Sequence, residues 1–359
     1  MSATITEAPP LEPEAGVREV KYKHSTDLPA LLSHLGVSLL VSTYQAGKLA
    51  VIHAAEGRLA LKFLNFDQPM GMAVSPQRIA VGSRRQVWFL TGAPDIAPRL
   101  APSGTHDACF LARSCHVTGE IHGHDMDWVG DELWVVNTLF SCLCTLGGDH
   151  SFVPRWKPPF ITALAAEDRC HLNGLAIVDG RPKYVTALGQ TDTPGGWRPG
   201  KAEGGCLLDV VSGATVARGF CMPHSPRAHG GRLWLLDSGR GRLAVVEPGG
   251  RSEAVAELPG YTRGLAFSGP YAFVGLSRIR DTSTFGGVPI AERRQELKCG
   301  VWAVDCRTGR VLGFLEFKSG VEEIFDVQVL AGVRSPVVQG PFPAEDGDNT
   351  IWTAPPLPV

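Results

Sequence analysis

The segment His171-Leu172-Asn173-Gly174-Leu175-Ala176-Ile177 constrains this chain more than any other feature, because look-alikes of it recur along the whole length. The other copies are Pro69-Met70-Gly71-Met72-Ala73-Val74, His124-Asp125-Met126-Asp127-Trp128-Val129, His224-Ser225-Pro226-Arg227-Ala228-His229, Thr262-Arg263-Gly264-Leu265-Ala266-Phe267 and Ile324-Phe325-Asp326-Val327-Gln328-Val329. Aligned by eye, their third positions fall at 71, 126, 174, 226, 264 and 326. Repeats of roughly 40–60 residues suit a four-stranded unit with loops of variable length, which cannot bury its apolar faces without neighbours. The expectation is an all-β chain folded as a six-bladed β-propeller, each copy forming the innermost strand of one blade.

The strands between the copies support this reading. Val37–Ser42, Lys48–His53 and Arg58–Phe63 are three apolar-rich runs separated by Gln45-Ala46-Gly47 and Glu56-Gly57, and they lack an inner strand of their own. The sixth copy, residues 324–330, has no three-strand set after it. The C-terminal strand therefore completes the N-terminal blade and closes the ring, which removes an exposed sheet edge. Residues 1–25, with Pro9, Pro10 and Pro13, read as a flexible leader. The ring is expected over 36–330 and a tail over 331–359. Long insertions at 138–155, 189–202 and 277–298 are placed between second and third strands, on the rim where inner strands begin.

Composition excludes some classes. A formal net charge of −2 gives no bulk attraction to nucleic acid or an anionic membrane. No apolar run approaches the ~20 residues that span a bilayer, and no export signal is recognisable, so a cytoplasmic location is expected. Nine unpaired-looking cysteines fit a reducing compartment. Cys142-Leu143-Cys144 lacks a second pair and reads as ordinary thiols rather than a zinc site.

By this count the mouth of the central channel is faced by Gln68, His124, Asp125, His171, Asn173, His224, Ser225, Tyr261, Arg263, Glu323 and Asp326. His124, His171 and His224 come from three successive repeats, and neutral imidazoles converging from separate strands suit Zn, Fe or Cu. His116 and His122 are alternates. Asp125, Glu323 and Asp326 are candidate acids or bases, and with Asn173 they are the oxygen ligands that would favour Ca instead. Polar, hydrogen-bonded channel histidines without a metal are the competing reading. Arg84, Arg85, Arg240, Arg263, Arg278 and Arg280 map to the same rim and suit a carboxylate or phosphate. Tyr44, Gln45 and Trp197, the last in Thr191-Asp192-Thr193-Pro194-Gly195-Gly196-Trp197, add hydrogen-bonding and stacking surface.

Several motifs, among them Ser42-Thr43-Tyr44-Gln45-Ala46-Gly47-Lys48-Leu49, Arg84-Arg85-Gln86-Val87-Trp88, Phe140-Ser141-Cys142-Leu143-Cys144, His150-Ser151-Phe152-Val153-Pro154-Arg155-Trp156 and Pro223-His224-Ser225-Pro226-Arg227, resemble a bacterial family of conserved hypothetical proteins over about 36–330. That resemblance implies no assigned reaction. Asn173-Gly174-Leu175-Ala176 is more distantly similar to a metal-binding strand of gluconolactonase- and regucalcin-like propellers, and the histidines resemble those of amidating-lyase and carotenoid-cleaving propellers. The resulting expectation is a metal-dependent hydrolase, lyase or oxidase acting on a small molecule or peptide that carries a carboxylate. A non-catalytic peptide-binding propeller, or an accessory protein of a modification pathway, is the alternative.

Overall fold

The computed structural model describes residues 19–279 and 285–354. Six sheets of four or five strands, antiparallel except for one edge pairing, are arranged as a six-bladed β-propeller. The closing blade pairs the inner strand Asp326–Ala331 with Val37–Ser42, followed outward by Lys48–Ala55 and Arg58–Asn65. The other inner strands are Met72–Ser75, Gly123–Val129, Leu172–Val178, Pro223–His229 and Tyr261–Ser268. We call the closing blade A and the others B to F in chain order.

Local chemistry sets the hairpins. Two-residue turns such as Glu56-Gly57 (φ 50° and 75°) and Asp179-Gly180 (φ 50° and 69°) put both central residues in the left-handed region, as the twist of a tight hairpin requires. Second and third strands are buried on both faces because each blade packs against two neighbours. Arg232–Asp237 (RLWLLD) and Cys299–Asp305 (CGVWAVD) show this as nearly continuous apolar runs. Apolar clusters fill each interface between neighbouring blades: Val41, Ile52 and Phe317 between A and F, Leu49, Met72 and Ile79 between A and B, and Leu207, Phe220 and Leu235 between D and E.

Two strands lie outside the expected ring limits. Tyr22–His24 pairs antiparallel with Val311–Phe317 at the outer edge of blade F. Pro336–Gln339 pairs parallel with Ala108–Val117 at the outer edge of blade B. The leader and tail thus each contribute an edge strand on either side of the closing blade; the rest of the leader, residues 1–18, lies outside the described residues. No helix among the described residues is long and apolar enough to cross a membrane.

The register of the copies differs from the sequence alignment in two blades. Gly71 abuts the backbone of Asp125, Gly174 that of Ser225 and Gly264 that of Asp326, so the equivalent positions are 71, 125, 174, 225, 264 and 326. The axis is too crowded there for six side chains, and glycine alternates with Asp or Ser. Each polar residue serves the next blade: Asp326 accepts from the Met72 amide, Asp125 accepts from the Leu175 amide, and the Gly264 amide donates to Ser225 Oγ. The insertion expected at 138–155 is absent. Cys142–Thr145 is the third strand of blade C and Val153–Trp156 its fourth, and the long connection follows them. Cys142 and Cys144 are buried thiols of that strand, and burial pushes Cys142 up to about 12.

Candidate active site

Above this plugged axis, on the rim that carries the long loops, lies a cavity of about 330 Å³. Its walls are two rings of blade-entry residues. Three positions before the axial register stand His122, His171, Met222, Tyr261 and Glu323; one position before it stand Met70, His124, His224, Arg263 and Phe325. Tyr44, Asp168, Trp197, Arg198 and Phe285 close the circle from the loops. A loop-side cluster of Leu188, Trp197, Met222, Tyr261, Ile279, Val288 and Ile290 fixes the aromatic wall.

The three imidazoles predicted to converge do line one cavity, but His171 sits two register positions above His124 and His224. The rings of His124 and His171 meet edge to face at 4.8 Å. Each Nδ1 is committed to the protein. His124 Nδ1 lies 3.0 Å from the His122 carbonyl oxygen and 2.8 Å from Thr138 Oγ1. His224 Nδ1 lies 2.9 Å from the Met222 carbonyl oxygen and 3.0 Å from Ser238 Oγ. His171 Nδ1 lies 2.9 and 3.0 Å from the two oxygens of Asp168. Carbonyl and carboxylate oxygens accept, so the Nδ1 atoms carry the protons and Nε2 is left as the basic nitrogen in all three rings. Burial, and after it His171 and Arg263, hold the pKa values of His124 and His224 well below the ordinary imidazole value.

Asp168 also accepts from Trp197 Nε1 at 3.1 Å, and the His171 ring packs on Trp197 at 4.5 Å. The backbone here is held in an uncommon state. Tyr44, His122, Asp168, His171 and Met222 all have φ between 42° and 53°. Such left-handed non-glycine residues cost of order 1–3 kcal/mol each and cluster where side chains must be aimed at a ligand. Across the cavity Arg263 is stacked on Phe325, its guanidinium carbon 3.4 Å from the ring centroid, and paired with Glu323 at 3.4 Å. Tyr44 packs on the same phenyl ring at 5.4 Å.

Of the residues singled out from sequence, the cavity gathers His124, His171, His224, Tyr44, Trp197, Tyr261, Arg263 and Glu323. Asp125 and Asp326 are not among its lining residues. Arg227 grips Asp125 through Nη1 at 2.8 Å and Nη2 at 3.1 Å, and Asp326 accepts from Met72, Val327 and Gln328, so both carboxylates are consumed in the plug. Asn173 bonds Thr186 beside it. Gln45 lines a separate groove with Glu19, Ala46, Gly320 and Glu322. Arg84 and Arg85 both pair with Glu120 at the surface, Arg240 with Asp237, and Arg278 donates to the Phe317 carbonyl. Arg280 lies outside the described residues. His116 bonds the Ser151 carbonyl away from the cavity, whereas His122 lines it. Asp168, Arg198, Phe285 and Phe325 escape the sequence reading as site residues. Only Asp168 carries a signal, its place three residues before His171.

Fold and site together define a six-bladed propeller with a blind, histidine-rich cavity on its loop-bearing face. The chain belongs to the family described as Domain of unknown function (DUF4915), whose pattern it matches over residues 26–339. Among curated proteins none matches. Similar solved structures include a chain of a nidogen/laminin complex, with TM-score 0.53, 11% identity, and 82% of this chain and 99% of that one covered. A PQQ-bound aldose sugar dehydrogenase from Streptomyces coelicolor gives TM-score 0.46 at 15% identity, with 87% and 100% covered. A virginiamycin B lyase from Staphylococcus aureus gives 0.40 at 10%, with 83% and 99% covered. Identities this low speak to the fold alone.

Proposed function

We propose that the cavity is an active site in which His171, held by Asp168, acts as general base on a small substrate whose carboxylate is received by Arg263. The observation that carries this reading is the Asp168–His171 pair. A carboxylate on Nδ1 fixes the tautomer, aims Nε2 and stabilises the imidazolium formed when Nε2 takes a proton. Asp168 is the positioning residue and His171 the catalytic one. Arg263, desolvated and backed by Phe325, supplies the fixed cation that a carboxylate needs inside a closed site. Glu323 beside it is the second titratable group available to return a proton. Proton abstraction from carbon next to the carboxylate, leading to elimination or isomerisation, or from a water that attacks an ester or lactone and expels its alkoxide, is the reaction type this set supports.

The test is turnover of a panel of small carboxylic acids and their esters and lactones. His171→Ala should abolish it, and Asp168→Asn should lower kcat by about 10²–10⁴, the usual span of general-base catalysis. Turnover that survives His171→Ala would refute the assignment.

A metal-dependent variant of the reading is favoured by one observation. In His124 and His224, an Nδ1–H tied to a carbonyl leaves Nε2 poised as metal ligands commonly are. Among the described residues, however, no three His, Cys, Asp or Glu side chains are spaced to hold an ion. Elemental analysis of protein purified without added ions, repeated on the His124→Ala/His171→Ala variant, decides it. Stoichiometric Zn, Fe or Cu lost in the variant supports the metal.

A further inference from the structure

Blades C and E build their histidines by one recipe. In each, the imidazole stands one position before the axial register, its Nδ1 bonds the carbonyl two residues back, and a hydroxyl fourteen residues on completes the cradle: Thr138 for His124 and Ser238 for His224. Thr138 Oγ1 is itself turned by donating to the Leu172 carbonyl at 2.6 Å, so it can only accept from His124. His171 from blade D stands between them. One wall of the cavity therefore presents imidazole lone pairs, with Asp168 engaged by His171 and Trp197 and the Arg198 guanidinium stacked on Trp197 beside them. The opposite wall, from blades F and A, presents the Arg263 cation with Glu323 at its side.

A ligand that satisfies both walls has an anion at one end and several neutral hydrogen-bond donors along its body. An alkyl acid would leave the Nε2 lone pairs unpaired, which is the circumstance in which binding sites discriminate most strongly. An ammonium group fits less well, because the two lining carboxylates are already engaged, Asp168 by His171 and Trp197 and Glu323 by Arg263, and His124 and His224 offer no negative charge. Aromatic faces of Tyr44, Trp197 and Phe325 suit a compact ring rather than a long chain.

We propose that the substrate is a polyhydroxylated carboxylic acid, its carboxylate on Arg263 and its hydroxyls donating to His124, His171 and His224. This rests on the carboxylate reading above and deepens it. The probes are quinate and cyclohexanecarboxylate, which share ring and carboxylate and differ in the hydroxyls. Calorimetric titration of the full chain at pH 7.5 should give quinate at least about tenfold tighter binding, the worth of a few neutral hydrogen bonds. His224→Phe should bring quinate affinity down toward that of cyclohexanecarboxylate.

Equal affinity for the two acids, or binding of neither, overturns the hydroxyl assignment, and the wild-type comparison gives that answer even where His224→Phe does not fold. Arg263→Met separates the two claims. Loss of both acids there, with equal wild-type affinities, keeps the carboxylate reading and removes this one. Quinate binding that survives Arg263→Met removes the carboxylate reading, and this inference with it.

Discussion

Replacing Arg227 with Met is the sharpest test of how the cavity floor is held. The guanidinium makes four contacts: Nη1 and Nη2 reach Asp125 at 2.8 and 3.1 Å, and Nη1 also donates to the carbonyls of Leu175 and Pro226 at 2.8 and 2.9 Å. It spans from blade E to blades C and D. The Asp125 side chain is 5% exposed, so the pair belongs with buried ion pairs, where removing one partner strands a charge at a cost of about 3–5 kcal/mol, and not with surface pairs worth about 1 or less. For a chain of this size the unfolding entropy is about 0.7 kcal/mol per degree, so Arg227→Met should lower Tm by about 4–7 °C. Scanning calorimetry or chemical denaturation reads it at pH 7.5. The double variant Asp125→Leu/Arg227→Met should recover much of the loss, because it removes the stranded carboxylate and not only its partner. A single variant that loses less than about 1 kcal/mol, or a double variant no better than the single, would refute the view that this pair ties three blades together.

Three further outcomes follow from the same geometry. Burial, and then the neighbouring Asp125, push Asp326 up to about 7. Its contribution is complete below the ordinary carboxylate range near ~4 and lost as pH rises through the folded value, so Asp326→Asn should remove a fall in stability of at most about 1.4 kcal/mol per pH unit across that window; identical slopes for the two proteins would count against it. Gly264 has φ +81° and an added Cβ would lie 2.5 Å from the Val327 nitrogen, so Gly264→Ala should cost about 3 kcal/mol in urea denaturation, and a neutral result would deny the close approach of blades F and A. Val338, in the parallel edge strand, is 1% exposed, so Val338→Ala should cost about 2 kcal/mol and speed amide exchange along Ala108–Val117; unchanged exchange there would mean that the strand does not protect the edge.

Blade number and ring closure were legible because they rest on patterns local to each strand. Three N-terminal strands without an inner partner and one C-terminal strand without followers leave a single economical pairing, and Asp326–Ala331 makes it with Val37–Ser42. The axial register was not legible, because whether Gly71 aligns with Asp125 or Met126 is set by how closely two blades approach. The arginines divide for a related reason. Arg84 and Arg85 find their carboxylate on the surface and Arg240 finds one three residues back in the chain, while among the described arginines only Arg263 lies in a ring position one residue before the register. Asp168 comes from the connection between blades C and D, where no strand periodicity indicates direction, and its role emerges only once His171 Nδ1 is found beside it.

The alternation at the axis also decides which residues can do chemistry. Glycine at 71, 174 and 264 lets the inner strands close in, and Asp326, Asp125 and Ser225 fill the space by bonding the next blade's amides. Arg227 and Gln328 occupy the layer beneath, which makes the cavity blind at its base. A carboxylate used this way has no oxygen left to exchange a proton with a ligand above it. The residues with an uncommitted nitrogen are the imidazoles one and three positions earlier. If the cavity is the active site proposed here, acid–base work falls to histidine and to Glu323 beside Arg263, and a ligand would enter from the loop side, past Trp197 and Phe285.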